Sequence, residues 1–412
     1  MLAYWIVLAY LLFPVICSVI IWVGYLTTQN IQKAILYSLL LAVIFGIAGY
    51  CFKNPATDPD LVRYLAILST YQNKNLWESI NTAYNNLYAV DVIFWVIADL
   101  GNPQLLPAFA CFVYYFIVLY ILVDYKIKSK INTLYFTLYT LLTICATNFV
   151  SIVNGIRWPL AYAMFFLAIY RDLYKNKLNS FTYFLYLASF FMHFSTIGLI
   201  FIRLLMIIKS KKIIILSSSG MVFLPHVLSL LAQKLNGGYT SNGLFNKIIY
   251  FIIRGNMYFQ WSGGGWADTV RRSNYYRIEK YYYIMICIFS IYIILRYYHN
   301  MMMRNKTLAN VKPLYIFMFT YMILTAVSFS ISSHVYIRFI SPAIPIMELF
   351  YFDVYVKDNS HYYRVRFEQL FCQIFLIGSI IMGIIINLYF LNTMIPLEKF
   401  VESMLTFNFL YS

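Results

Sequence analysis

The residues able to do chemistry in this chain are few, and most are single charges standing at the edges of apolar runs. Arg157 follows the turn Asn154-Gly155-Ile156 and opens the apolar segment Trp158-Pro159-Leu160-Ala161. A planar, permanently charged guanidinium suits an anion there, since it can hold two phosphate oxygens at once, although arginines at such places also simply snorkel to headgroups. Arg338 repeats the arrangement, following Ser332-Ser333-His334 and opening Phe339-Ile340-Ser341-Pro342. His193, in Phe191-Met192-His193-Phe194-Ser195, lies within an apolar stretch and titrates near neutral pH. It reads as a base, as a hydrogen-bonding positioner, or as a satisfied core residue.

Acids and aromatic residues supply a second set. In Thr57-Asp58-Pro59-Asp60-Leu61-Val62-Arg63-Tyr64, Pro59 suits the first turn of a helix and Asp60 and Tyr64 stand four apart on one face. Carboxylate and phenol so placed can grip sugar hydroxyls, while the same acids would also cap an interfacial helix over 60–72. Asp58-x-Asp60 resembles a metal-binding pair; its use with a nucleotide-sugar calls for a cytosolic α/β domain, which is absent, and the alternative is a membrane glycosyltransferase using a metal in this external loop. Further on, Trp261-Ser262-Gly263-Gly264-Gly265-Trp266 precedes Arg271, Arg272 and Arg277. Aromatic faces with flexible glycines suit saccharide stacking and the arginines suit phosphate, although Trp and Tyr also form the ordinary membrane-interface belt.

The elements that hold these residues are set by composition. Of 412 residues, 62% are hydrophobic and only 11% charged, a balance no water-soluble fold can hide from its own surface. The apolar runs are continuous and of helical length, which selects a helical bundle over a barrel. The first run is about twice the length of a signal-peptide core and lacks a basic region, so it is expected to stay as the first span. The six cysteines are scattered and read as packing residues. A net charge of +16 resides in short loops, where it sets orientation and meets lipid headgroups, so nucleic acid is not an expected partner.

Spans are expected near 2–26, 34–51, 105–124, 132–150, 157–173, 213–232, 281–297, 311–331, 338–356 and 369–392, all within one transmembrane domain, 1–412. Two stretches are ambiguous: 87–100 is short and carries Asp91 and Asp99, and 181–208 is long for one span. Five cationic clusters, around Lys126, Arg171, Lys209, Arg304 and Arg364, all fit the cytoplasm if 87–100 does not cross and 181–208 enters and returns as two half-helices with His193 near the tip. The large loops near 52–86 and 233–278 are then external, and so is the chemistry. No internal repeat, P-loop or Gly-rich dinucleotide turn is present, so nothing points to ATP or NAD use and no cofactor is expected.

The residues also resemble a family, the EpsG-like and Wzy-type polysaccharide polymerases of bacterial envelopes. The likeness is a spaced series: Asp60-x-x-Arg63-Tyr64, Asp91-x-x-Phe94 before Leu100-Gly101, Ile156-Arg157-x-x-x-Ala161, Ala188-x-x-x-x-His193-x-Ser195, and Arg338 near the end. The first motif departs from the family's Gly-Thr-Asp-Tyr wording, which weighs sugar contact toward Asp60 over Asp58. The resemblance implies an all-α polytopic membrane protein of about 10–13 transmembrane helices, a GT-C-like bundle in the bacterial cytoplasmic membrane. It implies polymerisation of undecaprenyl-pyrophosphate-linked oligosaccharide repeat units at the outer face of that membrane, by inverting, metal-independent transfer. Donor and acceptor are both lipid-linked, membrane lipid surrounds them, and the resemblance admits a chain-length regulator as a further partner. In that reading Arg157 and Arg338 neutralise the leaving pyrophosphate, and His193 takes the acceptor proton, with Asp60 or Asp91 competing for the role. Arg63, Tyr64, Asp58, Asp91, Arg271, Arg272 and Arg277 contact substrate. The rivals are a lipid-linked oligosaccharide flippase, a metal-dependent lipid-phosphosugar glycosyltransferase and an O-antigen ligase.

Overall fold

The computed structural model of the chain describes residues 9–10, 12–53, 55, 60–80, 87–208, 274–303, 313–331, 333–351 and 362–407, with isolated positions at 223, 227, 230, 231 and 234. Every regular element among them is helical. In chain order these are α1 (Pro14–Thr27), α2 (Ile31–Cys51), α3 (Asp60–Leu68), α4 (Leu76–Ser79), α5 (Tyr88–Asp99), α6 (Leu105–Ser129), α7 (Thr133–Ala146) and α8 (Phe149–Gly155). They continue as α9 (Arg157–Ile169), α10 (Ser180–Met192), α11 (Thr196–Leu205), α12 (Asn274–Met303), α13 (Pro313–Ile331), α14 (Ser333–Tyr351), α15 (Tyr362–Met394) and α16 (Leu397–Leu405). A 3₁₀ turn, Ser69–Tyr71, extends α3, and a π-helical turn, Tyr170–Tyr174, extends α9.

Four described helices are long and apolar enough to cross a membrane: α2, α6, the Arg277–His299 part of α12 and the Leu370–Met394 part of α15. Counting α7 with α8, which meet at a 50° bend, as one broken span makes five. The protein is thus an all-α, multi-pass membrane protein. Expected spans at 34–51, 105–124, 281–297, 311–331 and 369–392 coincide with α2, α6, α12, α13 and α15. The expected span 132–150 runs on to Gly155, and 338–356 starts instead at Ser333. The latter shift carries Arg338 inside α14, because nothing in Ser333–Ile337 interrupts a helix. The expected span 213–232 and most of the loop 233–278 fall outside the described residues.

The chain divides into two compact units, Met1–Ile197 with Ile344–Ser412, and Gly198–Ala343. In the first, α2 runs antiparallel to α6. A Cβ added at Gly49 would lie 2.5 Å from the Pro107 carbonyl oxygen, so only glycine allows the two backbones to approach there. Tyr25 donates to the Leu119 carbonyl at 2.9 Å, and Phe45 stacks on Tyr115 at 3.7 Å. Helix α15 lies alongside α7, and at the break between α7 and α8 the Asn387 carboxamide accepts from the Phe149 N–H at 2.8 Å and donates to the Cys145 carbonyl at 2.6 Å. A helix cannot be interrupted in a membrane unless its orphaned backbone groups find such partners. Helix α16 then folds over the same end, with Phe400 against Phe149 and the Cys51 thiol on the Ser403 carbonyl.

These contacts sort the first unit into two ends. One gathers Cys51, α3, α5, the start of α6, Arg157, His193 and α16. The other gathers the connectors 28–30, 130–132 and 175–179, where Asn30, Asn132 and Asn179 each cap the following helix. Lys126, Lys128, Arg171 and Lys175 lie at this second end, as the topology based on cationic clusters requires. At about 1.5 Å per residue α5 is about 18 Å long, too short for a hydrocarbon core of about 30 Å. Both its ends stay at the first end: Tyr88 packs on Phe191 at 5.2 Å, and Asp99 leads directly into the turn before α6. In whole cells a cysteine at the exposed Ser69 is therefore expected to react with an impermeant thiol reagent and one at Ser129 to stay unlabelled. Labelling of Ser129 alone would invert the orientation.

In the second unit α12 packs on α13 through Tyr297 against Tyr315, 4.7 Å apart, and Tyr298 against Phe319, 5.7 Å apart. Among the described residues the six cysteines are free thiols, four of them buried.

Candidate functional site

The first end of the first unit brings together side chains from four separate stretches of sequence. Helix α3 is amphipathic and buries Leu61, Tyr64 and Leu68. Tyr71, seven residues after Tyr64 and on the same face, is 1% exposed. Phe94 of α5 stands edge-on to both rings, 5.8 Å from Tyr64 and 5.9 Å from Tyr71. One turn earlier on α5 is Asp91, fully buried, whose Oδ1 accepts from the Tyr71 hydroxyl at 2.5 Å. A carboxylate in such surroundings persists only when it is hydrogen-bonded, and Tyr71 supplies one of its bonds.

Arg157 reaches this cluster from the start of α9. Its Nε donates to the Tyr64 hydroxyl at 3.1 Å, and its Cζ lies 5.3 Å from the centre of that ring. The half-buried guanidinium is therefore oriented by both the hydroxyl and the π-face of one tyrosine. The backbone before it is strained: Ile156 has φ +27°, a region that β-branched residues avoid at a cost of about 1–3 kcal/mol. Gly155 leaves room for the Trp158 indole beside this turn, since a Cβ there would lie 2.1 Å from its Nε1. The expected turn 154–156 is thus a single-residue hinge between α8 and α9, and it aims Arg157 at Tyr64.

His193 arrives by a different route. The apolar stretch 181–208 breaks at it: α10 ends at Met192, His193 is extended (φ −157°, ψ 126°), and α11 starts at Thr196. Phe165 of α9 lies 5.5 Å from Tyr186 of α10, and this antiparallel register places Arg157 and His193 at the same end of the hairpin. The half-buried imidazole Nδ1 lies 2.6 Å from Ser195 Oγ and receives the Ser195 N–H at 3.2 Å.

The remaining expected residues are more dispersed. Asp60 and Arg63 form an ion pair one turn apart, with the Arg63 side chain 68% exposed. Asp60 thus turns to Arg63, while Tyr64 turns inward to Arg157. Arg277 is exposed at the start of α12 and Arg338 is half-buried on α14, both in the second unit. Asp58, Arg271, Arg272 and the Trp261–Trp266 stretch lie outside the described residues. Tyr71 was not singled out from sequence, although its spacing of seven from Tyr64 would have placed both on one helical face.

The opposite end holds a cluster that also escaped the sequence reading. Asp124, 3% exposed, accepts from Tyr170 at 2.5 Å, from Lys128 at 3.1 Å, and pairs with Lys175 at 3.1 Å. Burial acts to lower the pKa of Lys175, but its bonds to Tyr120 and Asp124 outweigh burial and hold the ammonium above the usual lysine value. Tyr170 and Tyr174 open and close the π-helical turn and stack on each other at 4.9 Å. These cations are satisfied by the protein itself, which makes this end a structural lock. No protein-family model, curated protein or solved structure matches this chain.

Proposed function

We propose that the protein is a membrane glycosyltransferase that joins lipid-linked oligosaccharide repeat units at the outer face of the bacterial cytoplasmic membrane. The observation that carries the reading is Arg157, poised at a helix start and oriented by Tyr64, whose ring meets Phe94 one turn from the buried Asp91, and at the same end as His193. A guanidinium at a helix N-terminus is suited to an anionic leaving group.

In the proposed step an acceptor hydroxyl oxygen attacks the anomeric carbon of the donor glycan. The bond from that carbon to the pyrophosphate oxygen breaks, and the electron pair leaves with the undecaprenyl pyrophosphate. The acceptor proton passes to a basic group of the site, His193, Asp60 or Asp91. A single displacement inverts the anomeric centre. Arg157 lowers the barrier by meeting the charge that grows on the pyrophosphate. The donor carries its own activated leaving group, so the step calls for neither a nucleotide nor a redox partner.

The test is purified protein mixed with lipid-linked repeat units and no nucleotide. A ladder of lengthening glycans is expected. Passage of the substrate across a vesicle bilayer without elongation would overturn the reading in favour of a flippase, and loss of the ladder on chelation would favour a metal-dependent transferase.

A further inference from the structure

We propose that His193 serves this site as a hydrogen-bond donor through Nε2–H, with Ser195 setting that tautomer, and that the acceptor proton goes to a carboxylate. The inference rests on the glycosyl-transfer reading and refines it.

A backbone N–H can only donate, so the Ser195 N–H 3.2 Å from Nδ1 requires a lone pair on that nitrogen. Ser195 Oγ, 2.6 Å from the same atom, is compatible with this, since a hydroxyl can donate to that lone pair. A neutral imidazole has one proton, which is then on Nε2. The local fold enforces this. His193 is the extended residue that ends α10, with its own N–H on the Ser189 carbonyl at 3.1 Å. Thr196 bonds back to the His193 carbonyl through both its N–H, at 3.2 Å, and its hydroxyl, at 2.9 Å. That tight turn holds Ser195 against the ring at the entry to α11, where backbone N–H groups favour a lone pair over a second proton.

The chemical consequence is specific. Nε2 already carries a proton and cannot take another, and protonation at Nδ1 would reverse the Ser195 hydroxyl bond, break the bond from the Ser195 N–H and set N–H against N–H. What His193 gives a ligand is a hydrogen bond, suited to an oxygen gaining negative charge on the leaving pyrophosphate. The acceptor hydroxyl proton then passes to Asp60 or Asp91. Ser195 is a positioning residue, acting only through the ring.

Two measurements on the full-length purified protein test this. Nitrogen-15 histidine spectra, with the His193 signal assigned by its loss in His193→Gln, are expected to show the Nε2-protonated form. Ser195→Ala keeps the backbone N–H and is expected to leave the Nε2-protonated form dominant. In turnover, normalised for folded protein, His193→Gln sets an amide N–H near the Nε2 position and is expected to keep about a tenth or more of the activity. His193→Asn sets its amide near Nδ1 and is expected to lose about 100-fold, the scale of one lost donor to a developing charge. An Nδ1-protonated signal, or a Gln variant as poor as Asn, overturns the proposal. Wild-type protein that elongates nothing overturns the polymerase reading, and with it the role given to His193, while the spectrum decides the tautomer by itself.

Discussion

Arg157→Lys is expected to lower polymer formation by about 100-fold or more while leaving expression and melting temperature near wild type. Lysine keeps the charge but not the fork. The Arg157 contact to the Tyr64 hydroxyl is made through Nε, an atom lysine lacks, so the ammonium can satisfy Tyr64 or the anion, and not both with the same geometry. Tyr64→Phe is the companion: it keeps the ring under the guanidinium and removes the oxygen that orients it, so a smaller loss of about 10-fold is expected, on the order of one hydrogen bond. The loss should lie in turnover at saturating substrate. Near-normal ladders from both variants would mean that Arg157 only anchors the start of α9.

Asp124→Ala is expected to have the largest effect on stability, about 3–5 kcal/mol, read as a lowered melting temperature in detergent and poor yield. The carboxylate is almost fully buried and is shared by Tyr170, Lys128 and Lys175, the last with a side chain only 10% exposed. Removing it strands a buried ammonium. Lys175→Met in the same chain is expected to recover part of the loss by removing that charge, and absence of any recovery would show that the cluster is not coupled. Because the Lys175 pKa is raised in the folded protein, its contribution is fully present at neutral pH and is lost only as pH rises through the folded value.

Much of the architecture was legible because lipid imposes one rule, that apolar helical runs are spans. The break at His193 could be expected from the length of 181–208, and the shortness of α5 from Asp91 and Asp99 within 87–100. Charge told which ends of the first unit go together, since Lys126, Lys128 and Arg171 share one end. Less legible were interactions that depend on two distant stretches meeting. Arg157 and Tyr64 are 93 residues apart, and both were singled out, but nothing in either segment says that one holds the other. Asp124 was hidden for a different reason: it stands in an apolar run beside lysines, and composition alone reads the group as a cationic loop. The Ser195 N–H that orients His193 is a backbone group, invisible to any reading by side-chain type.

The Asn387 bridge has a consequence for how the molecule is made. The carboxamide that satisfies the gap between α7 and α8 is 238 residues downstream of Phe149, in a helix that returns to the first unit after the whole second unit has been synthesised. At translation rates of about 5–20 residues per second, that interval lasts roughly 10–50 s. Throughout it the nascent chain holds an open polar notch within an apolar hairpin, which lipid cannot fill and water or a passing polar group must. Biogenesis of this protein is therefore a race between the arrival of α15 and the misuse of that notch, and the break between α7 and α8 is secured only when α15 arrives.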